Sequence, residues 1–225
     1  MTLFAFPEAA RVGRRIPRDT LFRAGGGGKA VRALYEREVD RIDWAFKLFE
    51  RSVNLPPSGG VTEIQIFHIT LRGDMLDDRV LQHLDRAMPR ATWFELTRMT
   101  PDGAQIQVAA GYKRPSDVDR TQVVTLAHSR GPWQPADTPR DTMPSAITLE
   151  GLYAGLLRSL WPHPARQGES LREQAERLSA AAAQAKAVAR LATQVRREKD
   201  FSRQVERNRE LRSAQAALNE LTDER

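Results

Sequence analysis

Two carboxylates and a lysine in the central part of the chain could together hold a divalent metal ion. Asp85 lies in a run with helical periodicity, and Glu95 and Lys113 lie in two runs typical of strands. In nucleases of the PD-(D/E)XK type, such carboxylates bind Mg²⁺ and a lysine orients the attacking water. These three residues therefore raise the hypothesis of a degenerate, metal-dependent nuclease.

The surrounding sequence fits that chemistry poorly. The nuclease pattern places an acid two residues before the lysine, but Gln105-Ile106-Gln107 stands where the acid should be. The alternative is that Glu95 and Lys113 are strand-end charges that form a cross-strand pair. We therefore expect no catalytic residue, and Asp85, Glu95 and Lys113 remain the weak candidates.

Other chemistries have less support. The chain has no cysteine, which excludes disulfides, thiolate nucleophiles and Cys-ligated metals. Its four histidines are scattered, and neither G-x-S-x-G nor G-x-G-x-x-G occurs. The run Gly25–Gly28 precedes Lys29, but Ala30 replaces the Ser or Thr of a phosphate-binding loop. We expect no metal and no cofactor, and we interpret the glycine run as a flexible surface loop.

Basic residues suggest an acidic partner. The formal net charge is +6, from 35 Lys and Arg against 29 Asp and Glu, which favours nucleic acid or an acidic protein. On the C-terminal helix, the alternative is a solvated face with i,i+4 ion pairs. The cations predicted to contact phosphates are Arg14, Arg15, Arg18, Lys113, Arg114, Arg196, Arg197, Lys199, Arg203 and Arg207.

The elements that must position these residues form an α+β pattern. Residues 61–71 and 104–113 alternate apolar and polar side chains, residues 91–98 are rich in aromatic and β-favouring side chains, and 78–88 have helical spacing. Thr100-Pro101-Asp102-Gly103 predicts a turn that makes the last two strands a hairpin. A helix from residue 29 should turn into a strand near Ile42, a further strand covers 121–128, and an amphipathic helix covers 148–161. We predict a small mixed or antiparallel sheet with packed helices.

The end of the chain is a helical extension. Residues 169–221 contain no proline or glycine and keep a narrow, Ala-rich seam at a spacing near that of a coiled coil. This predicts one long helix or a helical hairpin that docks on a partner or self-associates. We expect an α+β domain over 1–162 and the extension over 163–225.

Targeting signals are not evident in the sequence. No apolar run approaches the roughly 20 residues of a membrane span. The first residues, Met1 to Pro7, lack the basic start and long apolar core of a secretion signal. Together with the missing cysteines, this favours a cytoplasmic location and no membrane partner.

The whole chain resembles an uncharacterised bacterial and archaeal family, a domain of unknown function of similar length. The resemblance rests on Phe4-Ala5-Phe6-Pro7, on Tyr112-Lys113-Arg114-Pro115, and on residues 15–17, 39–48, 54–55, 63–67, 84–89, 94–96, 152–157 and 198–212. Members of that family are commonly encoded beside a DNA methyltransferase and a helicase in restriction-like or phage-defence loci. The resemblance implies an accessory role near DNA and supplies no catalytic residue.

The sequence thus favours a non-enzymatic accessory or docking subunit of a DNA-modification or phage-defence complex. Its partner would be the methyltransferase, the helicase or a second copy of the chain, held by the C-terminal helix. DNA contacts through phosphates are a secondary expectation. The alternatives are the degenerate nuclease and a nucleic-acid-binding module that acts alone.

Overall fold

A computed structural model describes residues 2–115, 118, 123–126 and 128–223 of the chain. The fold is α+β, as the sequence predicts. The chain forms two compact units, Met1–Trp161 and Pro162–Arg225, with a boundary one residue from the predicted one. In the part of the chain that is described, no helix is both long and apolar enough to cross a bilayer.

The elements follow in order along the chain. The helices are α1 (Arg18–Gly25), α2 (Lys29–Glu38), α3 (Glu50–Val53), α4 (Asp78–Ala87), α5 (Leu149–Leu160), α6 (Leu171–Arg197) and α7 (Phe201–Thr222). The strands are β1 (Arg11–Arg15), β2 (Val39–Phe49), β3 (Glu63–Leu71), β4 (Ala91–Thr100), β5 (Gly103–Ala110), β6 (Lys113–Pro115), β7 (Val123–Thr125), β8 (Ser129–Arg130) and β9 (Gln134–Pro135).

One mixed sheet organises the first unit. Its order is β1-β2-β3-β4-β5-β8, with β9 also paired to β5, and β6 and β7 form a separate two-stranded ribbon. The pairs are antiparallel except β3 with β4, which run parallel because α4 crosses between them. The predicted turn at Thr100 joins β4 and β5 as a hairpin.

Several predicted boundaries differ from the structure. The helix that begins at Lys29 ends at Glu38, and the strand starts at once at Val39 rather than near Ile42. The predicted strand over 121–128 is described only in part, as β7 and the residues after it, because 121, 122 and 127 lie outside the described residues. No strand is predicted at Arg14 and Arg15, but both belong to the edge strand β1, whose backbone pairs with β2.

The two faces of the sheet bury different side chains because strand residues alternate. One face packs Phe67, Ile69, Phe94 and Leu96 against α1, α2 and α4 in the main hydrophobic cluster. Residues of opposite parity, such as Ile64, Ile66 and Trp93, point to the other face and are fully buried. Burial of each such side chain contributes on the order of 2 kcal/mol.

The second unit is a helical hairpin. Helix α6 starts with a capping box, in which Ser170 and Glu173 bond each other's backbone N–H groups. Helix α6 ends at Arg197, and Asp200 caps the start of α7. The chain therefore turns back at residues 198–200. The Gln184 amide donates to the Ala214 carbonyl at 2.9 Å, which shows that the helices run side by side.

Candidate functional site

A buried polar cluster joins Asp85 to Lys113 and His128. The Lys113 ammonium lies 2.7 Å from Asp85 Oδ1, and His128 Nε2 lies 2.6 Å from Asp85 Oδ2. Thr92 donates its hydroxyl to Oδ1 at 2.8 Å, and the Lys113 ammonium also donates to the Met88 carbonyl at 2.6 Å. The Lys113 and Asp85 side chains are only 2% and 1% exposed, so the cluster is almost closed to water.

Local interactions explain how α4 and β6 bring their side chains to this cluster. Asp77 caps α4 by accepting from the Arg79 N–H at 2.9 Å, and the helix then carries Asp85 into the interior on the same side as Leu81. Strand β6 brings Lys113. Tyr153 from α5 fixes the approach to β6, because its hydroxyl donates to the Gly111 carbonyl at 2.6 Å and accepts from the Lys113 N–H at 3.3 Å.

The electrostatics keep Asp85 ionised. Burial alone would raise the pKa of Asp85, but hydrogen bonds and charge from His128 and Lys113 outweigh it and hold the pKa below the ordinary value. Burial lowers the pKa of Lys113, and Asp85 opposes that shift. Burial also raises the pKa of Tyr153, so its phenol stays neutral and donates. The ionised carboxylate thus lies against Lys113, His128 and Thr92.

Glu95 belongs to a second cluster on the opposite face of the sheet. Its two oxygens accept from Arg140 at 2.8 Å each, and His68 Nε2 lies 3.1 Å away. Burial raises the pKa of Glu95, but the bonds from Arg140 and His68 prevail and lower it below its usual value. Thr92 and Glu95 are three residues apart on β4, so Thr92 faces Asp85 while Glu95 faces away.

The structure therefore separates the three weak catalytic candidates. Asp85 and Lys113 meet as a buried ion pair, and Glu95 lies behind the sheet with Arg140. Among the described residues, no group of three or more His, Asp or Glu side chains is arranged to hold a metal ion. Mg²⁺ at either carboxylate would have to displace a cation that already neutralises it. The arrangement is that of two interior ion pairs.

Sequence reasoning missed His128, Thr92, His68 and Arg140 as partners in these clusters. His128 and Arg140 lie far from Asp85 and Glu95 along the chain, so no spacing pattern could join them. The strand alternation did carry a signal, since it puts Thr92 and Glu95 on opposite faces.

The glycine run is packed against a buried histidine. The Gly26 carbonyl lies 2.7 Å from His83 Nε2, and Tyr35 Oη lies 2.8 Å from His83 Nδ1. A carbonyl only accepts, so Nε2 carries the proton and Nδ1 accepts from Tyr35. A Cβ at Gly27 would lie 3.0 Å from the His83 ring, at a left-handed φ of +110°. The run thus packs closely on His83, while residues 26–28 form an exposed loop between α1 and α2.

The predicted phosphate-contacting cations fall into different environments. Arg14 and Arg15 are exposed on the edge strand, and within the described residues neither has a carboxylate within ion-pair distance. Asp43, the cross-strand neighbour of Arg15, pairs instead with Arg41 at 2.6 Å. The Arg18 guanidinium donates to the carbonyls of Val39 and Asp40. Arg18 is therefore engaged by the backbone.

Lys113 and Arg114 also differ from the expected exposed pair. Lys113 is inside the Asp85 cluster, so its ammonium is not available to a phosphate at the surface. Arg114 and Lys113 both line a pocket of about 300 Å³ with Arg90, beside Gly59 and Gly60. The two cations are thus neighbours at this pocket, but the Lys113 ammonium is bound to Asp85.

The cations of the C-terminal helices gather at the end of the hairpin. Arg203 and Arg207 lie 3.6 and 3.4 Å from the Glu198 carboxylate. The described residues offer Arg196, Arg197 and Lys199 no carboxylate at ion-pair distance. Two apolar side chains at this end are also exposed, Phe201 at 78% and Val205 at 53%. We call residues 196–207 the hairpin tip.

A pocket of about 400 Å³ opens beside the edge strand. Its walls include Arg14 and Arg15 from β1, Trp44 and Phe67 from the sheet, and Ala24 from α1. The Trp44 and Phe67 rings stack with centroids 6.4 Å apart. We call it the edge pocket, and it combines an apolar wall with exposed cations.

The fold and these clusters define a mixed α+β protein with two buried ion pairs, a cationic sheet edge and a helical hairpin. The chain belongs to the family described as a domain of unknown function, DUF4391, whose model matches residues 4–218. The family resemblance inferred from the sequence is thereby confirmed. Neither the curated proteins nor the solved structures give a match to this chain.

Proposed function

We propose that this protein is a non-enzymatic accessory subunit of a DNA-modification or phage-defence complex. Its α+β unit contacts DNA phosphates through the edge strand, and its hairpin tip binds a protein partner. The observation that carries the proposal is the pair Arg14 and Arg15, two exposed guanidiniums that no carboxylate of the described residues neutralises. Such cations gain affinity for a phosphate backbone by releasing its counterions.

The hairpin tip supports the second contact. Phe201 is 78% exposed and is surrounded in sequence by Arg196, Arg197, Lys199 and Arg203. An apolar anchor with a charged rim is typical of protein interfaces, where aromatic and arginine side chains carry much of the binding energy. The net charge of the tip favours an acidic patch on the partner. A DNA methyltransferase or helicase subunit is the partner class that the family resemblance implies.

The buried carboxylates favour this role over the nuclease alternative. Asp85 is held by Lys113 and His128, and Glu95 is held by Arg140. A metal at Asp85 or Glu95 would displace the cation that is bound to that carboxylate. Displacing it breaks a buried ion pair, which costs about 3 kcal/mol or more.

Co-purification tests the accessory role. The tagged chain is co-expressed with a DNA methyltransferase and a helicase of the kind that the family resemblance implies, and the eluate is assayed for both. We expect a partner to co-elute with the native chain and with Ile147→Asp, a control at an apolar residue that is 87% exposed elsewhere. Phe201→Asp should abolish co-elution because it places a carboxylate at the centre of the contact.

Two outcomes would contradict the proposal. Unchanged co-elution of Phe201→Asp would exclude the hairpin tip as the binding surface. DNA binding without any co-eluting protein would favour the alternative of a nucleic-acid-binding module that acts alone.

A further inference from the structure

We infer that the edge pocket binds one nucleotide of a single-stranded nucleic acid, with the base against Trp44 and its phosphate on Arg14. This inference rests on the proposed nucleic-acid contact and extends it from the backbone to a base. It assigns a ligand class to a pocket lined by Arg14, Gln65, Phe67, Ala24 and Met88 as well as Trp44.

A bulge in the edge strand sets the position of Arg14. The β1–β2 register shifts between Arg11 and Arg14, and Gly13 in this interval has a left-handed φ of +62°. Bulges with such a glycine bend an edge strand and redirect its side chains. After the bulge, Arg14 is the direct cross-strand partner of Trp44, so both side chains leave the same face of the sheet.

The aromatic wall suits a flat ligand. Trp44 is only half-buried, and its ring stacks on Phe67 with an interplanar angle of 26°. The indole N–H already donates to the Phe46 carbonyl at 3.1 Å, so the ring is fixed and needs no further polar partner. Every nucleobase has a π face, and stacking on an aromatic side chain binds bases with little sequence preference.

One polar group at the pocket can meet the edge of a base. The Gln65 amide nitrogen donates to Glu63 at 2.6 Å, which leaves the Gln65 carbonyl oxygen as an acceptor. An acceptor of this kind suits the exocyclic amine of adenine or cytosine. The pocket volume of about 400 Å³ lies within the usual range of small-molecule sites.

The charge and the aromatic wall together favour a nucleotide over two simpler roles for this edge. Arginines on an edge strand also prevent edge-to-edge aggregation, which accounts for the charges but not for the aromatic pocket beside them. A side chain of a protein partner could fill an apolar pocket, but the uncompensated cation of Arg14 on the same face as Trp44 favours an anionic ligand. A base inside a duplex is stacked and paired, so the pocket requires a single strand or an unpaired nucleotide.

The test compares single-stranded and duplex DNA of the same sequence at one salt concentration, by fluorescence anisotropy with the full-length chain. We expect the native protein to bind the single strand roughly tenfold more tightly, the scale of one stacked base. Ala24→Phe should remove that preference by filling the pocket from α1, while duplex binding stays unchanged. Gly73→Ala, at a site with open space around it, is the control.

A second measurement follows the indole ring of Trp44 directly. In a ¹H–¹⁵N spectrum, the indole signal of Trp44, assigned with Trp44→Phe, should shift when dAMP is added and should not shift in Ala24→Phe. A shift with dAMP but no preference for single strands would assign the pocket to free nucleotides and overturn the strand-binding inference.

The remaining outcomes of these experiments also test the inference. Equal binding of both DNA forms with an unmoved indole signal would overturn the inference and leave the proposed phosphate contact intact. Failure to bind either DNA would overturn both. Loss of a co-eluting protein in Ala24→Phe, without a change in DNA binding, would assign the pocket to that protein.

Discussion

At the scale of single residues, Asp85 shows how the interior tolerates charge. Its carboxylate is 1% exposed and meets Lys113, His128 and Thr92 within 2.8 Å. A buried ion is stable only where donors replace its lost hydration. The cluster supplies those donors from β4, β6 and the segment before β8 to a carboxylate on α4, so it ties together parts of the chain that are distant in sequence.

Removing the Asp85 charge should therefore destabilise the fold. Asp85→Asn leaves the Lys113 ammonium buried without its counter-ion, and we expect a loss of about 3 kcal/mol in the free energy of unfolding, measured by urea denaturation. The control is Asp78→Asn on the same helix, whose exposed pair with Arg130 should contribute less than about 1 kcal/mol.

The double substitution Asp85→Leu with Lys113→Met separates charge from packing. It removes both ions and should restore most of the lost stability. A loss of under about 1 kcal/mol in Asp85→Asn would show that the pair is not a determinant of folding.

A second residue-scale prediction concerns pH. Burial lowers the pKa of His83, with the Gly26 carbonyl opposing that shift. The unfolded chain takes up this proton at its ordinary pKa of about 6.5, before the folded protein does. The stabilisation that neutral His83 contributes is therefore fully present above about pH 6.5. It decreases as pH falls towards the pKa of the folded protein, by up to about 1.4 kcal/mol per pH unit.

The measurement is urea denaturation of the native chain and of His83→Gln between about pH 7.5 and 5.5, roughly one unit above and below the reference value. Glutamine can donate to Gly26 and accept from Tyr35 but does not titrate. Its stability should fall less steeply with decreasing pH. Equal slopes of stability against pH in the native chain and in His83→Gln would contradict this role of His83.

At the scale of elements, helices α1 and α4 approach closely at one glycine. A Cβ at Gly25 would lie 2.9 Å from the Ala87 Cβ and 3.0 Å from the Ala87 nitrogen, on the last residues of two helices. The contact holds α1 against the core that carries Leu21 and Phe22. Glycine is required here by space, since its φ is not left-handed.

Gly25→Ala should force the two helices apart. We expect a loss of about 1–3 kcal/mol, as for other overpacked cores, with a lowered urea midpoint. Gly73→Ala should change stability little because nothing lies within 4 Å of its added Cβ. Equal midpoints for the two variants would mean that the α1–α4 contact is looser than described.

Arg177 links the two helices of the hairpin at the end opposite residues 198–200. The Arg177 guanidinium pairs with Glu169 at 2.6 Å and donates to the carbonyls of Leu221 at 3.0 Å and Pro164 at 2.9 Å. It therefore satisfies the Leu221 carbonyl in the last turn of α7, which has no helical partner of its own. Its side chain is 7% exposed, which strengthens these bonds relative to a surface pair.

Arg177→Met should release the end of α7. Hydrogen exchange measured by mass spectrometry should be faster in residues 214–222 and unchanged in β3 and β4. Arg172→Met, on the exposed side of the same helix, is the control because its pair with Glu176 is largely in water. Protection that stays at the native level in Arg177→Met would contradict this role.

At the scale of the whole molecule, periodicity predicted the central elements and missed those that depend on distant partners. Helix α4 and strands β3, β4 and β5 follow from local alternation and caps. Strand β1 was missed because its own residues are mostly arginines, and its strand form comes from pairing with β2. The hairpin was left open as an alternative to one long helix, since residues 198–200 contain neither glycine nor proline.

The candidate site was predictable in its members but not in its geometry. Asp85 and Lys113 were named together, and the structure pairs them, but as an interior ion pair. His128 could not be found, because only the tertiary fold brings it to Asp85. Arg18 and Lys113 illustrate the same limit, since no local pattern shows which cations the interior will use.

The most direct test of the proposed DNA contact is the salt dependence of duplex binding. Each phosphate contact contributes a slope of about −0.9 to a plot of log K against log salt concentration. We predict a negative slope for the native full-length chain, and a slope smaller in magnitude by roughly 2 for Arg14→Gln with Arg15→Gln. Arg51→Gln with Arg190→Gln removes the same charge elsewhere and should keep the native slope. A binding constant insensitive to salt, or equal slopes in the two double variants, would contradict the account.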